Sequence, residues 1–360
     1  MRVGLVIYGD LDFPSGGFLY DRMLVDSLRR SGNEVEVISL PWDSYRKCLA
    51  HNVDPAIRVR LLGWKGDVLL QDELCHPSLF GVNRKLTGSF PVVSIVHHLR
   101  FSELHAGPAR SLQSAVERSY LRGVKHFVFN GSVTRRTVEA LAGRPCDGII
   151  APPGGDRLGP GISAAEIRER SDQEPLSVLF VGNLIPRKGL IVLLRALAMI
   201  PQERWRLTIV GSRAVDPSHA ARVDRFISER GLAGKVRVMD HLDDSHLARE
   251  LCSHHVLAVP SSYEGFGIVY LEAMGFGIVP IGSQSGGAAE VIQDGTAGFL
   301  VRPGDYQGLA KIIETLAEDR ALLCAHATSA LERYRAFPGW EQRMSEVGSY
   351  LRGVARSGGR

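Results

Sequence analysis

The sequence contains few cysteines, and none of them is spaced like a ligand or disulfide pair. Its 360 residues include five, at Cys48, Cys75, Cys146, Cys252 and Cys324. The number is odd, the positions are scattered, and no CxxC motif occurs. Small secreted domains and zinc modules have dense, regularly spaced cysteines. The pattern therefore argues against both classes and is typical of a reducing compartment.

Long apolar runs are also lacking. The longest candidate, Leu190–Ile200, is interrupted by Arg195 and is shorter than the roughly 18 residues that span a bilayer. The run Val3–Tyr8 follows the first two residues directly, and we interpret it as a strand of a folded domain and not as a signal peptide. We therefore expect a cytoplasmic protein without a membrane-spanning segment.

The charge excess is too small for a nucleic-acid-binding protein. The net charge is +4. Residues 1–150 hold 19 Lys and Arg against 15 Asp and Glu, and the remainder holds 24 of each. A nucleic-acid-binding domain usually carries a concentrated basic face and a pI above about 9. The excess in the first half permits an anionic substrate or a peripheral contact with the inner face of a membrane.

Strand-like and helix-like segments alternate along almost the whole chain. The strand-like runs are rich in Val, Ile and Leu without strict alternation, which is typical of parallel strands that are covered on both faces. This pattern predicts an α/β protein with doubly wound sheets. The predicted strands are Val3–Tyr8, Glu34–Leu40, Asp67–Gln71, Pro91–His97, His126–Asn130, Gly148–Ala151, Leu176–Gly182, Trp205–Gly211, Val236–Asp240, Val256–Pro260, Ile278–Gly282 and Gly298–Val301.

A change in composition near the middle of the chain predicts two domains. Residues 151–161 are dense in proline and glycine, and the following residues 166–174 are charged and poor in apolar side chains. Such a segment favours a linker over a core element. We therefore predict a first domain over 1–158, a linker over 159–175 and a second domain over 176–336, followed by a helix at about 341–360.

The loops that follow strands in the first half contain candidate ligand-binding residues. Gly16 and Gly17 lie between the first strand and the first helix, where their backbone N–H groups could approach an anion, although an ordinary turn explains them equally well. His97 and His98 lie at the carboxyl end of the fourth strand. Asp10 and Asp12 match a DxD metal-binding pattern, but such a pair recurs by chance, and we predict no metal site.

In the second half, two loops combine glycines with charged residues. Gly182–Gly189 runs from a strand into a helix and contains Arg187 and Lys188, which with free helix N–H groups would form an anion site. The second loop, Ser261–Gly267, places Glu264 before a helix, and Glu272 lies about two turns into that helix. Between the two glutamates, the backbone of Gly265, Phe266 and Gly267 could present N–H groups to a sugar or phosphate oxygen. The segment 283–290 has a similar glycine pair after the next strand.

Together these motifs resemble the retaining glycosyltransferases of family four. The resemblance rests on Lys188-Gly189, the Glu-x7-Glu spacing from Glu264 to Glu272, and the later SGGAAE segment, and it extends over nearly the whole chain. It implies the GT-B fold, in which two doubly wound Rossmann-like domains face each other across a cleft. It also implies that the C-terminal helix packs back on the N-terminal, acceptor-side domain, and that the C-terminal domain binds the nucleotide sugar.

The resemblance assigns a role to each motif residue. Glu264 matches the glutamate near the reacting carbon of the donor sugar, Glu272 the one that holds the ribose hydroxyls, and Lys188 a cation that neutralises the diphosphate. The remaining donor-binding positions are Gly16, Gly17, Asn183, Arg187, Gly265, Phe266 and Gly267. His97 matches a histidine near the donor sugar, so the predicted catalytic residues are His97, Glu264 and Lys188. The nucleotide base of the donor is expected to lie near Val238–Asp243.

One position departs from the family pattern. Many members have an arginine directly after the strand glycine, where this chain has Asn183. Either Arg187 supplies the missing charge or diphosphate binding is weaker. The expected reaction is metal-independent, with front-face attack and retention, since helix N-termini and cations neutralise the leaving phosphate. No cofactor is expected, and a UDP-sugar is the expected co-substrate.

Two other functions remain open from the sequence. The chain could be a non-catalytic subunit that binds a nucleotide sugar, or a GT-B sugar-nucleotide epimerase or phosphorylase. The acceptor, whether a glycan, a lipid-linked sugar or a small molecule, is not encoded in any motif. The basic excess around Arg100, Arg110, Arg135 and Arg136 favours an anionic or membrane-associated acceptor.

Overall fold

The chain folds into two compact units, each with its own hydrophobic core. The structure is a computed structural model that describes residues 1–86, 90–103, 108–159 and 161–358. The first unit comprises Met1–Pro153 together with Trp340–Arg360, and the second comprises Gly154–Gly339. Pro160 of the predicted linker and the last two residues of the predicted C-terminal helix lie outside the described residues.

The first unit contains a six-stranded, fully parallel sheet. Its order is β2-β1-β3-β4-β5-β6, so the direction of winding reverses between β1 and β3. Ligands of open α/β sheets bind beyond the carboxyl ends of the strands at such a reversal. The strands are β1 (Arg2–Tyr8), β2 (Glu34–Leu40), β3 (Val68–Asp72), β4 (Val92–Val96), β5 (His126–Phe129) and β6 (Asp147–Ile150).

Helices cover this sheet, and the C-terminal helix is one of them. The first and last helices of the chain pack together through an Arg30–Glu341 ion pair and an edge-to-face contact of Tyr20 with Trp340, whose ring centroids are 5.8 Å apart. The helices of this unit are α1 (Gly16–Arg30), α2 (Tyr45–Ala50), α3 (Pro55–Leu62), α4 (His76–Leu79), α5 (Asn83–Leu86), α6 (Pro108–Gly123), α7 (Ser132–Ala142) and, at the C-terminus, α16 (Trp340–Gly358).

The second unit repeats the architecture. Its parallel sheet has the order β12-β11-β10-β7-β8-β9, which reverses between β7 and β10. The strands are β7 (Leu176–Val181), β8 (Trp205–Val210), β9 (Val236–Met239), β10 (Val256–Ala258), β11 (Val279–Ser283) and β12 (Phe299–Val301). The helices are α8 (Ala164–Ser171), α9 (Leu190–Leu197), α10 (Pro217–Glu229), α11 (Asp244–Ser253), α12 (Ile268–Gly275), α13 (Ala288–Val291), α14 (Tyr306–Glu318) and α15 (Arg320–Arg335).

The prediction of two doubly wound sheets is confirmed. Each of the twelve strands lies within two residues of its predicted bounds. The predictions succeeded because most of these strands are covered on both faces, so their sequences are continuous apolar runs. Among the described residues, no helix is long and apolar enough to cross a membrane.

The interpretation of residues 159–175 as a linker is wrong for most of that segment. Helix α8 begins with a capping box between Ser163 and Glu166, and Ile167 is completely buried in the core of the second unit. Arg170 donates hydrogen bonds to the carbonyls of Cys252 and Phe276, at 3.1 and 3.0 Å. The charged composition misled the prediction because a buried arginine here satisfies backbone carbonyls.

Candidate functional site

Two loops of the second unit meet at the point where its sheet order reverses. One loop follows β7 and contains Arg187 and Lys188, and the other follows β10 and contains Glu264. Lys188 Nζ lies 2.8 Å from Glu264 Oε2, and Arg187 Nη1 lies 3.8 Å from the same oxygen. Ser261 donates a third contact to this oxygen at 3.1 Å. Three predicted site residues therefore form one cluster, although Glu264 lies 76 positions after Lys188 in the sequence.

Glu264 carries a negative charge at neutral pH. Burial alone would raise its pKa, but Lys188 and Arg187 outweigh that effect and lower the pKa to about 2. Its carboxylate can therefore accept hydrogen bonds, and it cannot act as a proton donor near pH 7. The Arg187 guanidinium also donates a hydrogen bond to the carbonyl of Tyr263 at 3.0 Å, which holds it in place.

Asn183 lies in the same loop but contributes only backbone contacts among the described residues. Its carbonyl accepts a hydrogen bond from Ile185 N–H at 2.8 Å, and the N–H of the next residue, Leu184, donates to the carbonyl of Ser212 in the loop after β8. The amide side chain makes no hydrogen bond in the part of the chain that the structure describes. The loop therefore keeps its shape without the arginine that is common at this position, and the local positive charge comes from Arg187 and Lys188.

The glycines around Glu264 allow two loops to pack backbone against backbone. Gly287 N–H donates to the Glu264 carbonyl at 2.7 Å, and Gly286 pairs with Glu264 as an isolated parallel bridge. A Cβ on Gly286 would lie 2.0 Å from the Glu264 carbonyl oxygen, and its φ of +88° also favours glycine. The second glycine pair thus holds the Glu264 loop in place. The position of Gly287 after a strand suggested that its N–H could contact a ligand, but this N–H is bound to Glu264 instead.

The GFG segment ends at the start of α12. Gly267 has a φ of +93° and precedes Ile268, the first residue of the helix. Phe266 is buried in the core of the second unit, so only its backbone remains for the predicted ligand contact. The side chain of Phe266 thereby anchors the loop that carries Glu264.

Glu272 forms a second charged cluster in the same unit. Its Oε1 accepts from Arg157 Nε at 2.9 Å and lies 2.8 Å from Arg157 Nη2. Arg157 also pairs with Asp244, the first residue of α11. Burial raises the pKa of Glu272, and the charge of Arg157 opposes that rise. The predicted base-contacting segment, Val238–Asp243, ends at the N-cap of α11, next to this cluster.

In the first unit, the two glycines lie at the beginning of α1. The helix starts at Gly16, and its N-cap Ser15 accepts from Phe18 N–H at 3.3 Å. The N–H groups of Gly16 and Gly17 belong to the first turn of the helix, where backbone donors lack intrahelical acceptors. Gly17 also packs on a histidine: a Cβ there would lie 3.0 Å from Cδ2 of His97.

His97 is the first residue after β4 and belongs to a buried network. Its Nε2 lies 3.2 Å from Asp21 Oδ1, and its backbone N–H donates to Glu73 Oε2 at 2.8 Å. Asp72 is the last residue of β3 and Glu73 follows it, and both are buried. Polar atoms of Asp21, Asp72 and His97 all lie within 4.8 Å of one another. His98, the next residue, is half-buried.

Sequence reasoning did not identify several residues of these clusters. Asp72 and Glu73 lie at the carboxyl end of a buried strand next to the reversal of the sheet order, and that position was a usable signal. Asp21 lies within a helix, and Arg157 lies in the proline- and glycine-rich segment that suggested a domain break. No local pattern marks either residue, because each meets its partner only in the folded chain.

Comparison with known proteins identifies the family of the second unit. Residues 163–333 match the family model described as glycosyl transferases group 1. A D-inositol 3-phosphate glycosyltransferase from Streptomyces avermitilis is 30% identical over 199 residues, which is 53% of this chain and 43% of that protein. The match with this relative thus spans less than half of the relative's length.

A longer match extends over both units. A phosphatidyl-myo-inositol mannosyltransferase from Mycolicibacterium smegmatis is 28% identical over 367 residues, covering 94% of this chain and 90% of that protein. Two solved structures share the whole fold. They are a sucrose-phosphate synthase from Thermosynechococcus elongatus (TM-score 0.82, 21% identity, 99% of each chain) and the Anabaena protein HepE in complex with UDP-glucose (TM-score 0.79, 19% identity, 98% of this chain and 100% of HepE). The predicted GT-B fold is confirmed.

Proposed function

Since the chain belongs to the group 1 glycosyltransferases through its residues 163–333, we propose that it transfers a sugar from a nucleoside diphosphate sugar to an acceptor hydroxyl. We further propose that the reaction retains the anomeric configuration and needs neither a metal nor another cofactor. The observation that carries the proposal is the cluster of Lys188, Arg187 and Glu264 at the reversal of the second sheet.

The cluster can perform the charge chemistry that such a transfer needs. Breaking the bond between the sugar and the diphosphate leaves negative charge on the phosphate, and preformed positive groups stabilise that charge in the transition state. Lys188 and Arg187 supply two positive charges next to each other. Glu264, ionised and fixed by three contacts, accepts hydrogen bonds from sugar hydroxyls and thereby orients the reacting carbon. Glu272 binds the ribose hydroxyls in this proposal.

Uridine is the proposed donor nucleoside, and an anionic molecule is the proposed acceptor. HepE, which shares the fold, is described in complex with UDP-glucose. The two relatives are named for an inositol phosphate and a phosphatidylinositol. The basic excess of residues 1–150 points in the same direction, since a positively charged surface attracts anionic substrates. We propose that the enzyme works in the cytoplasm, in peripheral contact with the inner face of the membrane.

A ligand-stabilisation screen tests the donor. UDP-, GDP-, ADP- and dTDP-sugars are added to the protein in the presence of EDTA, and the unfolding temperature is measured. A ligand at 100 times its dissociation constant adds about 2.7 kcal/mol to the stability. We expect stabilisation by UDP-sugars and its loss in Lys188→Met. The matched control is Lys311→Met, because Lys311 is exposed on α14 and far from the cluster in sequence.

Product analysis tests the reaction itself. Slow hydrolysis of the donor or transfer to an acceptor, followed by NMR during the first minutes, shows which anomer forms. We expect the anomer of the donor, formed at the same rate with and without EDTA. An inverted product, or activity that requires an added divalent cation, would contradict the proposed mechanism and leave the donor site in place.

Matched acceptors test the proposed charge. Inositol, inositol phosphate and vesicles that contain phosphatidylinositol differ in charge and in their lipid part. We expect transfer to a phosphorylated acceptor and none to inositol. Tight UDP-sugar binding without turnover on any acceptor would instead support a non-catalytic subunit, and conversion of the nucleotide sugar to its epimer would support an epimerase.

A further inference from the structure

The backbone of His97 is fixed on both sides by side chains of the first unit. Its N–H donates to Glu73 Oε2 at 2.8 Å, and its carbonyl accepts from Asn130 Nδ2 at 2.6 Å. Asn130 itself is held by Thr134, whose hydroxyl donates to Asn130 Oδ1 at 2.7 Å. Side chains that follow β3 and β5, the two strands on either side of β4, thus fix the backbone position of His97.

The imidazole ring is fixed as well. Nε2 lies 3.2 Å from Asp21 Oδ1, the ring contacts Tyr20 edge-on at a centroid distance of 5.3 Å, and Gly17 packs against its Cδ2 side. Only 10% of the side chain is exposed. Among the described residues, Nδ1 has no hydrogen-bond partner. It is therefore the one polar atom of His97 that the described residues of the first unit leave available.

The surroundings of the ring favour its charged form. Titratable groups reach it from α1 (Asp21 and Tyr20) and from the end of β3 (Asp72 and Glu73). The Cys75 thiol interacts electrostatically with the three carboxyl groups of this set. Burial alone would lower the pKa of His97, but the carboxylate of Asp21, together with Asp72 and Glu73, raises it to about 10. Burial raises the pKa of Tyr20 and of Cys75, so both stay neutral.

The neighbouring carboxyl pair holds a proton. Burial and the charge of Asp21 raise the pKa of Asp72 to about 7, and burial and the charge of Asp72 raise the pKa of Glu73 well above its ordinary value. Two adjacent buried carboxyl groups cannot both ionise without a large cost, so at neutral pH the pair keeps at least one proton. The carboxyl group of Asp21 is the one in direct contact with the imidazole. Its second oxygen, Oδ2, is buried and has no hydrogen-bond partner among the described residues.

We propose that Asp21 is a positioning residue that binds His97 through Nε2 and keeps the ring protonated, so that His97 donates a hydrogen bond to the substrate through Nδ1. The inference rests on the proposed function, because the substrate that it names is the nucleotide sugar. A charged donor in a buried place stabilises negative charge that develops on a phosphate or sugar oxygen more strongly than a neutral one does.

Two substitutions of His97 distinguish its nitrogens. The amide nitrogen of asparagine reaches roughly the position of Nδ1, and that of glutamine roughly the position of Nε2. We expect His97→Asn to retain at least tenfold more donor turnover than His97→Gln. Equal activity of the two, or higher activity of His97→Gln, would overturn the assignment of Nδ1.

The pH profile tests Asp21. In the wild type, titration of His97 should not change turnover between pH 6 and pH 9, because the ring stays protonated throughout. In Asp21→Asn the ring loses its counter-charge, its pKa falls, and turnover should drop at least tenfold between pH 6 and pH 9. Asp26→Asn, an exposed position on the same helix, is the matched control and should follow the wild type. A profile of Asp21→Asn parallel to the wild type would overturn the proposal.

A measurement independent of activity separates this inference from the proposed function. Protein labelled with ¹⁵N-histidine is titrated by NMR with EDTA present, and the His97 ring signals are assigned by their absence in His97→Asn. We expect the charged ring to persist to pH 9 in the wild type and to become neutral near pH 7 in Asp21→Asn. A neutral His97 in the wild type at pH 7.5 would overturn the inference. Failure of the folded wild type to turn over any nucleotide sugar would count against the proposed function instead.

Discussion

Arg157 donates from Nε to Glu272 Oε1 at 2.9 Å, and its Nη2 lies 2.8 Å from the same oxygen. Both contacts use one carboxylate oxygen, and Arg157 also pairs with Asp244 at the start of α11. Among the described residues, Glu272 Oε2 has no hydrogen-bond partner. The arginine therefore compensates the buried charge and leaves one oxygen for the ribose hydroxyls of the proposed donor.

Replacing Arg157 should destabilise the second unit and weaken donor binding together. In Arg157→Met the buried Glu272 loses its counter-charge, and breaking a buried ion pair costs about 3–5 kcal/mol. Urea denaturation measures the loss of stability, and UDP titration measures the loss of affinity. Arg225→Met, an exposed position on α10, should change neither. If the double variant Arg157→Met/Glu272→Gln is no more stable than Arg157→Met, the ion pair does not explain the loss.

An arginine at position 183 should partly replace Arg187 in binding the UDP-sugar. A charge-assisted hydrogen bond contributes about 1.5–3 kcal/mol, so Arg187→Met should weaken UDP-sugar binding roughly 10- to 100-fold. Adding Asn183→Arg to this variant should restore part of the affinity, since residue 183 lies in the same loop. Calorimetric titration gives the dissociation constants, with the exposed Arg249→Met as control. An unchanged affinity in Arg187→Met would show that Lys188 alone neutralises the diphosphate.

The ion pairs of Glu264 should make stability depend on acidic pH. The folded-state pKa of about 2 lies below the ordinary value for glutamate, about 4.3. The stabilisation is therefore complete above about pH 5 and is lost as the pH falls towards 2, and it amounts to about 3 kcal/mol. The stability advantage of the wild type over Glu264→Gln should shrink across this window. The exposed control Glu229→Gln should show no such dependence, and a constant advantage of the wild type over Glu264→Gln would contradict the assignment.

Replacing Gly286 should reduce stability by more than its positive φ angle alone explains, because a side chain there would clash. A Cβ at Gly286 would lie 2.0 Å from the Glu264 carbonyl, whereas Gly304, with a similar φ of +81°, has nothing within 4 Å. Gly304→Ala should cost about 1–2 kcal/mol for the left-handed backbone. Gly286→Ala should cost roughly 2 kcal/mol more and should also reduce donor affinity by displacing the Glu264 loop. Equal effects of the two substitutions in denaturation would exclude the contact.

Most of the fold could be predicted from the sequence, because its signals are local. A strand covered on both faces must be apolar along its whole length, and β7 (Leu176–Val181) and β11 (Val279–Ser283) show this directly. The donor-side motif residues were also visible, since Lys188 and Glu264 each follow a strand end. Helix α8 was missed because its charged composition hides one buried apolar residue, Ile167, and one buried arginine.

The sequence by itself determined which elements form and which loops carry charged and glycine residues. Only the tertiary structure decided which of these residues are partners. Lys188 meets Glu264, Arg157 meets Glu272, and Asp21 meets His97 across separations of 76, 115 and 76 residues. The state of Glu264 as a carboxylate and of His97 as an imidazolium depends on these partners. The physical reason is that the charge of a buried group depends on the field of its neighbours, and only the folding of strands, helices and loops together sets those neighbours.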